Sequence, residues 1–263
     1  MGLRPAWPLV ALLAVPSAKA QESRLRELPV QETFHGLSFS PGRPCGQRLF
    51  PEELCRTMRP KRWLPNEIAA VRGLLAPLFE PGTGLPGFIG RVRANGFGPI
   101  LRYSSGSGSA WVSHKDHSID VADSLLDREY PPDTSSGFDL RKQILLHELA
   151  HAFDIRELVY SEEFLGLAGW REENGAYVLP GVDGAELRAT VARFIRLIGE
   201  GKMLEAYRLN RDYGLAHGFP TAYAMTSPSE CFAELASHIF YDPTAERYLN
   251  AELVRWFRRR VLN

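Results

Sequence analysis

The sequence predicts an α+β domain: a small twisted sheet packed on one central helix, followed by a mostly helical C-terminal subdomain. Three observations predict it. Short strand-like runs cluster between Phe88 and Val121. A helical segment carrying His147-Glu148-Leu149-Ala150-His151 comes after them. From Asp183 onward the apolar residues recur at helical spacing.

The chain has 263 residues, enough to bury a sizeable core as one large domain or two small ones. Its 31 basic and 31 acidic residues balance. No basic stripe points to a nucleic-acid partner, and no acidic tract to a solvating tail.

Residues 1–20 read as a signal peptide. Arg4 supplies the positive start, Ala6 to Val15 is a short apolar run interrupted by Pro8, and Ala18 and Ala20 place small residues for cleavage after Ala20. The run is too short for a comfortable membrane span, and no other long apolar stretch exists. The mature chain is therefore expected to have no membrane span and to be secreted or periplasmic, with 29 basic against 31 acidic residues once Arg4 and Lys19 are removed. An uncleaved N-terminal anchor is the alternative.

Residues 21–60 are rich in Pro, Gly, Arg and Glu without sustained periodicity. They read as an extended lead-in or prosegment wrapping a domain over 61–263. Cys45 and Cys55 lie close together there, and an oxidising compartment predicts a local disulfide between them. The competing reading makes Cys45 a thiolate cap on the metal. Cys231 is left over and reads as a buried, inert thiol.

The first helix starts at Leu64-Pro65-Asn66, with Asn66 as cap and Ile68, Val71, Leu74, Leu75 and Leu78 at helical spacing. Pro81-Gly82 and Pro86-Gly87 break it. Strands are then expected at 88–92, 99–103, 109–113 and 118–121, with a flexible turn from Ser104 to Gly108. The last alternates apolar and polar residues, as a half-buried strand does. His114-Lys115-Asp116-His117 reads as a polar loop rather than a second metal site.

Ser136-Gly137-Phe138-Asp139 has the form of a capping box for the next helix. A helical wheel puts Phe138, Leu145, Leu149, Ala152 and Phe153 on one side and His147, His151 and Asp154 on the other, with Leu140 and Ile144 also on the histidine side. The two histidines are one turn apart and point the same way, so both imidazoles can bind one Zn²⁺. Glu148 projects beside them, where it could take a proton from water on the ion. Asp154 either orients a ligand histidine from behind or is helix-end polarity.

Asp183-Gly184-Ala185-Glu186 caps a further helix with Leu187, Val191, Phe194, Ile195 and Ile198 inward, ended by Gly199 and Gly201. A shorter helix carries Leu204 to Leu209. Both read as scaffold. In the last informative cluster Ser227 is an N-cap and Pro228 suits the first helical position. Phe232, Leu235, Ala236 and Ile239 form an apolar stripe opposite Glu230 and Glu234. Glu230 could bind a metal, but Ser227-x-x-Glu230 is itself a capping box, and the residues alone leave both roles open. His217 reads as a loop residue, His238 as helix surface with a supporting role behind the site as the alternative, and Arg258-Arg259-Arg260 as a solvated helix end.

HELAHAFD followed by Tyr-x6-Glu-x-Phe-Ala-Glu resembles the anthrax lethal factor-like zinc peptidases, which include the Pro-Pro endopeptidases. The resemblance covers the catalytic half, from the strands near Trp111 to about Tyr241. It implies a zincin-like fold and a third zinc ligand, Glu230, beside His147 and His151. It makes Glu148 the general base and Tyr223 a hydrogen-bond donor to the oxyanion, and has Glu234 support the site. Cys231 stands where the family often has Phe, and the segment between His151 and Glu230 is longer than usual. The implied activity is hydrolysis of peptide bonds by zinc-activated water, on a peptide or protein bound as an extended strand along an edge such as Ser109 to Ser113. Two alternatives are a zinc hydrolase of a non-peptide amide, such as peptidoglycan cross-links, and a catalytically silent protein that retains zinc.

Overall fold

The computed structural model describes residues 32–44, 58–104, 109–127, 130 and 139–263. The proposed signal peptide, Cys45, Cys55, Ser136 and Phe138 lie outside the described residues.

The main sheet contains β1 (Glu32–Phe34), β2 (Leu37–Pro41), β3 (Arg59–Pro60), β4 (Pro99–Ser104), β5 (Ala110–Ser113) and β6 (Ser118–Ala122). Its order is β1-β2-β4-β6-β5, with β3 pairing β4 off that path. β2, β4 and β6 run parallel, while β1, β3 and β5 are antiparallel to their neighbours. β5 thus forms one edge. The stretch read as a wrapping lead-in is part of this sheet: Leu37 and Phe39 of β2 are fully buried, and Phe39 sits opposite Ile100 of β4.

β6 is buried along its whole length, not half-buried, because strands flank it on both sides and the helix Leu140–Phe153 packs against the sheet at β5. Its polar members survive by local bonding: Ser118 Oγ donates to Asp120 Oδ1 at 2.9 Å. Arg102 of β4, also fully buried, pairs with Glu67 at 2.7 Å and with Asp123, and stacks over Trp63. It ties the sheet to α1 (Pro65–Leu75) and α3 (Asp123–Asp127). α1 begins two residues earlier than a cap at Asn66 implies. Pro65 takes the first helical position and Leu64 the cap, whose N–H donates to Glu67 at 3.0 Å, so Asn66 lies inside the helix.

Residues 88–92 are not a strand. They belong to α2 (Pro86–Ala94), with Pro86 at its start and Phe88, Ile89 and Val92 facing the core. Their β-prone composition is overridden by burial at helical spacing.

α4 (Leu140–Phe153) is the central helix. Asp139 caps it, accepting from Arg141 N–H at 3.0 Å, so the helix starts after the capping box expected at Ser136. Leu145, Leu146, Leu149, Ala150 and Ala152 are buried in the main core. Asn95 closes its far end by donating to the carbonyls of Ala152 and Phe153 at 3.0 and 2.8 Å.

After α5 (Glu162–Ala168) and the hairpin β7 (Arg171–Glu173)–β8 (Ala176–Val178) come α6 (Gly184–Gly199) and α7 (Met203–Ala216), which pack as an antiparallel pair. Their small core is Phe194, Leu197 and Ala206. Ile195, expected inward, is 58% exposed, and Leu197 takes the inward position. α8 (Pro228–Tyr241) packs most extensively on α4, and α9 (Ala251–Arg260) covers α8 with Trp256 and Phe257 buried. No helix among the described residues is long and apolar enough to cross a membrane.

Candidate metal centre

α4 and α8 bring the two sequence motifs face to face. His147 Nε2 lies 3.1 Å from His151 Nε2 and 3.1 Å from Glu230 Oε2, and His151 Nε2 lies 3.4 Å from Glu230 Oε2. Among the described residues this is the one group of three that could hold a metal ion.

The donor chemistry fits an ion. Donor atoms held 2.0–2.1 Å from a tetrahedral Zn²⁺ are separated by about 3.3 Å, close to all three edges observed here. Glu230 Oε2 is buried and receives no hydrogen bond. A carboxylate oxygen and two imidazole nitrogens converging at this range need a cation or a shared proton between them.

Burial opposes charge on His147, but Glu230 and Glu234 outweigh it and raise its pKa well above the usual histidine value. Burial likewise opposes ionisation of Glu230, yet the two imidazoles pull its carboxyl down to about 2.

The cap-or-ligand ambiguity at Glu230 resolves into separate parts. Ser227 Oγ accepts from the backbone N–H of Glu230 at 3.1 Å, which is half of a capping box. The Glu230 side chain turns to the histidines instead of back to Ser227.

Glu234, one turn later, stands behind His147. Its Oε1 is 3.1 Å from His147 Nδ1, while Oε2 accepts from Thr221 Oγ1 at 2.9 Å and lies 3.5 Å from His238 Nε2. His238, read as helix surface, therefore faces this carboxylate and borders the cleft. Burial opposes charge on Glu234, but His147 and His238 hold its carboxyl well below the usual range. Sequence reasoning missed Ser229, whose Oγ is 3.1 Å from His151 Nδ1. Its only signal was its place next to Glu230.

Asp154 does not orient a histidine. Its carboxylate accepts the backbone N–H groups of Glu157, Leu158 and Val159, at 2.6–3.1 Å, and closes the turn after α4.

Glu148 lies on the β5 side of the cluster, where the backbone of Val112 bonds its carboxylate. Burial raises its pKa despite the nearby histidines. Tyr223 sits in a 3-10 turn, Tyr223–Met225, with its ring 6.2 Å from that of His147. Burial and the carboxylates Glu230, Glu148 and Glu234 push its phenol far above the usual tyrosine pKa, so it stays protonated. α7 docks that turn. Asn210 Oδ1 accepts from Tyr223 N–H at 2.9 Å, and Gly214 allows the helix to approach, since a Cβ there would meet the Thr221 backbone at 2.3–2.6 Å.

A cleft of about 230 Å³ opens at the cluster. It runs from Ala110 on the β5 edge, past Glu148 and Tyr223, to α6 and α7, which form its far wall. The helix pair read as scaffold is thus part of the site. Cys231 is fully buried beneath it, and burial pushes its thiol up to about 12, as expected of an inert cysteine.

No family model and no curated protein matches the chain. Among solved structures it is similar to a protein from Bacteroides caccae described as a "putative zinc-binding metallo-peptidase". The identity is 13%, over 94% of this chain and 88% of that one, with a TM-score of 0.44. So distant a likeness carries no weight for function, which rests on the site.

Proposed function

We propose that the chain is a zinc-dependent metalloendopeptidase acting in this cleft, with His147, His151 and Glu230 as ligands. The triangle of their donor atoms, with edges of 3.1, 3.1 and 3.4 Å, carries the reading. Bound there, zinc would act as a Lewis acid on the scissile carbonyl and lower the pKa of a coordinated water.

The chain's own residues supply the rest. Glu148, with its carboxyl raised by burial, accepts the proton of the attacking water and returns it to the leaving amine. The contact to Val112 aims that carboxylate. Tyr223 remains an O–H donor at working pH and can turn from Glu230 to the developing oxyanion. Ser229 bonds Nδ1 of His151 and the Glu234 carboxylate lies 3.1 Å from Nδ1 of His147, which favours each Nε2 presenting its lone pair to the site.

An extended substrate fits beside β5. Ser109 C=O accepts from Ala122 N–H at 2.9 Å, so it faces β6; by alternation Ala110 and Val112 turn their backbone groups outward, toward the cleft. The N-terminal features around Arg4, Ala18 and Ala20 make secretion or a periplasmic location part of the proposal.

The test is zinc content and peptide-library cleavage for the wild type and Glu148→Gln. The variant should retain about one zinc per chain and lose roughly 10²–10⁴-fold in turnover. Wild-type protein that binds no zinc, or a variant that hydrolyses at the wild-type rate, would overturn the reading.

A further inference from the structure

One side of the same cleft, away from Glu148 and Tyr223, is lined by residues that the chemistry above does not use. Leu140 and Ile144 of α4 form one side, and Phe194, Ile198 and Leu204 of the α6–α7 pair form the other. This sleeve is apolar, and the 230 Å³ cavity has room for one long side chain.

Two observations add polar groups to this lining. Gln143, one turn before His147 on α4, lines it at 6% exposure, and its Nε2 has no hydrogen-bond partner. A buried amide left unpartnered is costly, and its presence points to a ligand that completes it. Arg208 and Arg211 of α7 line the same pocket. Arg208 is exposed and meets no carboxylate among the described residues.

Glu148 and Glu234 also border the cavity, but they are engaged by Val112 and by His147, Thr221 and His238. A glutamine amide can turn either end to a partner. Arg208 sets the sign of the group it meets.

We propose that this pocket selects a glutamate side chain at a residue flanking the scissile bond. Its methylenes lie along the apolar sleeve, and its carboxylate faces Gln143 and Arg208 of α7. A lysine side chain would bring like charge to that wall. The terminal carboxylate of a peptide has the same chemistry, and blocking it separates the two sources.

This inference rests on the peptidase reading, and the test keeps the two apart. Peptides blocked at both ends carry Glu, Gln, Leu or Lys on either side of the bond and are offered to zinc-loaded wild type, Gln143→Leu and Arg208→Gln. The same peptides are titrated by fluorescence anisotropy onto Glu148→Gln. Wild type should favour Glu over Leu and Lys by roughly tenfold in kcat/KM, with Gln between. Arg208→Gln should narrow the Glu-over-Gln ratio, and Gln143→Leu the Glu-over-Leu ratio.

Equal cleavage of all four peptides would overturn the pocket and leave the peptidase standing. Preference for unblocked C-termini whatever the flanking residue would assign the carboxylate to the chain end and overturn the side-chain assignment. Absence of cleavage, with the Glu peptide still bound roughly tenfold more tightly than the Leu peptide, would support the pocket and overturn the peptidase. Neither cleavage nor preferential binding would overturn both.

Discussion

Removing the charge of Glu234 without changing its shape isolates what that residue does for the metal. In Glu234→Gln the side-chain oxygen can still face His147 Nδ1, 3.1 Å away, and the hydroxyl of Thr221 can rotate to accept from the new amide. His238, 3.5 Å away, loses an anionic partner. Geometry survives, but the histidine is no longer polarised by a carboxylate, so its Nε2 is a weaker donor to the ion. Losing such a partner costs about 10–100-fold in metal affinity, or about 1.4–2.7 kcal/mol. Glu234→Gln should fall at the lower end of that range. Glu234→Ala, which also frees His147 to rotate and removes the acceptor of the Thr221 hydroxyl, should fall at the upper end. Competition against a chromophoric zinc chelator at fixed pH measures both. Affinities within twofold of wild type for both variants would refute the assignment. A total loss of metal in Glu234→Gln, with Glu230→Ala binding normally, would make Glu234 the ligand.

Tyr223→Phe should leave zinc affinity unchanged and lower kcat by about 10²-fold, the typical loss of one oxyanion donor; steady-state kinetics with a quenched peptide checks it, and an unaltered kcat would remove Tyr223 from the mechanism. The pH dependence of the stripped protein has a definite sign. Glu230, lowered from 4.5 to about 2, stabilises the fold above pH 4.5, and that stability is lost as pH falls toward 2. His147, raised above 6.5, contributes fully below 6.5 and loses its contribution as pH rises through its folded pKa. Both describe one interaction, worth at most on the order of 3 kcal/mol. The stability difference between wild type and Glu230→Gln in chelator should peak between pH 4.5 and 6.5; a difference flat across pH 3–9 in thermal melts would contradict the picture, a range set by roughly two units either side of the expected window. Asp154→Ala should lower stability by about 1–3 kcal/mol, since it strips acceptors from the turn after α4, and leave zinc affinity alone; paired melting and metal titration separate the two effects.

What could be read from the sequence follows from how local each signal is. The histidine pair of α4 was legible because two histidines four apart and the apolar positions Leu145, Leu149 and Ala152 report one helix and both of its faces. The strands of 99–121, β6 included, were legible from their short alternating runs, but the second buried side of β6 depends on neighbours that the strand does not encode. α2 was misread because Phe88, Ile89 and Val92 favour strands by composition, while the deciding signal was Pro86 at a helix start. Leu197, not Ile195, points inward because α6 packs on α7 through Phe194 and Ala206, a pairing invisible until both helices are placed. The same pairing makes a wall of the cleft from segments that look like scaffold. Ser229 and Gln143 were overlooked because each matters only through a partner on another element or through the lack of one.

Glu230 shows why a motif with two readings need not be a conflict. A helix N-terminus has orphan N–H groups, and Ser227 Oγ satisfies that of Glu230 without using the glutamate side chain. Pro228, which has no N–H, removes another orphan at no cost. With the first turn satisfied by its backbone chemistry, the carboxylate is released to face across to α4. The apolar residues Phe232, Leu235, Ala236 and Ile239 bury the other face of α8 and fix its rotation, so that Glu230 and Glu234 arrive together, one beneath each nitrogen of the His147 ring. A substitution at Ser227 should therefore be felt first as fraying of α8, and only through it as a shift of Glu230 away from the imidazole pair.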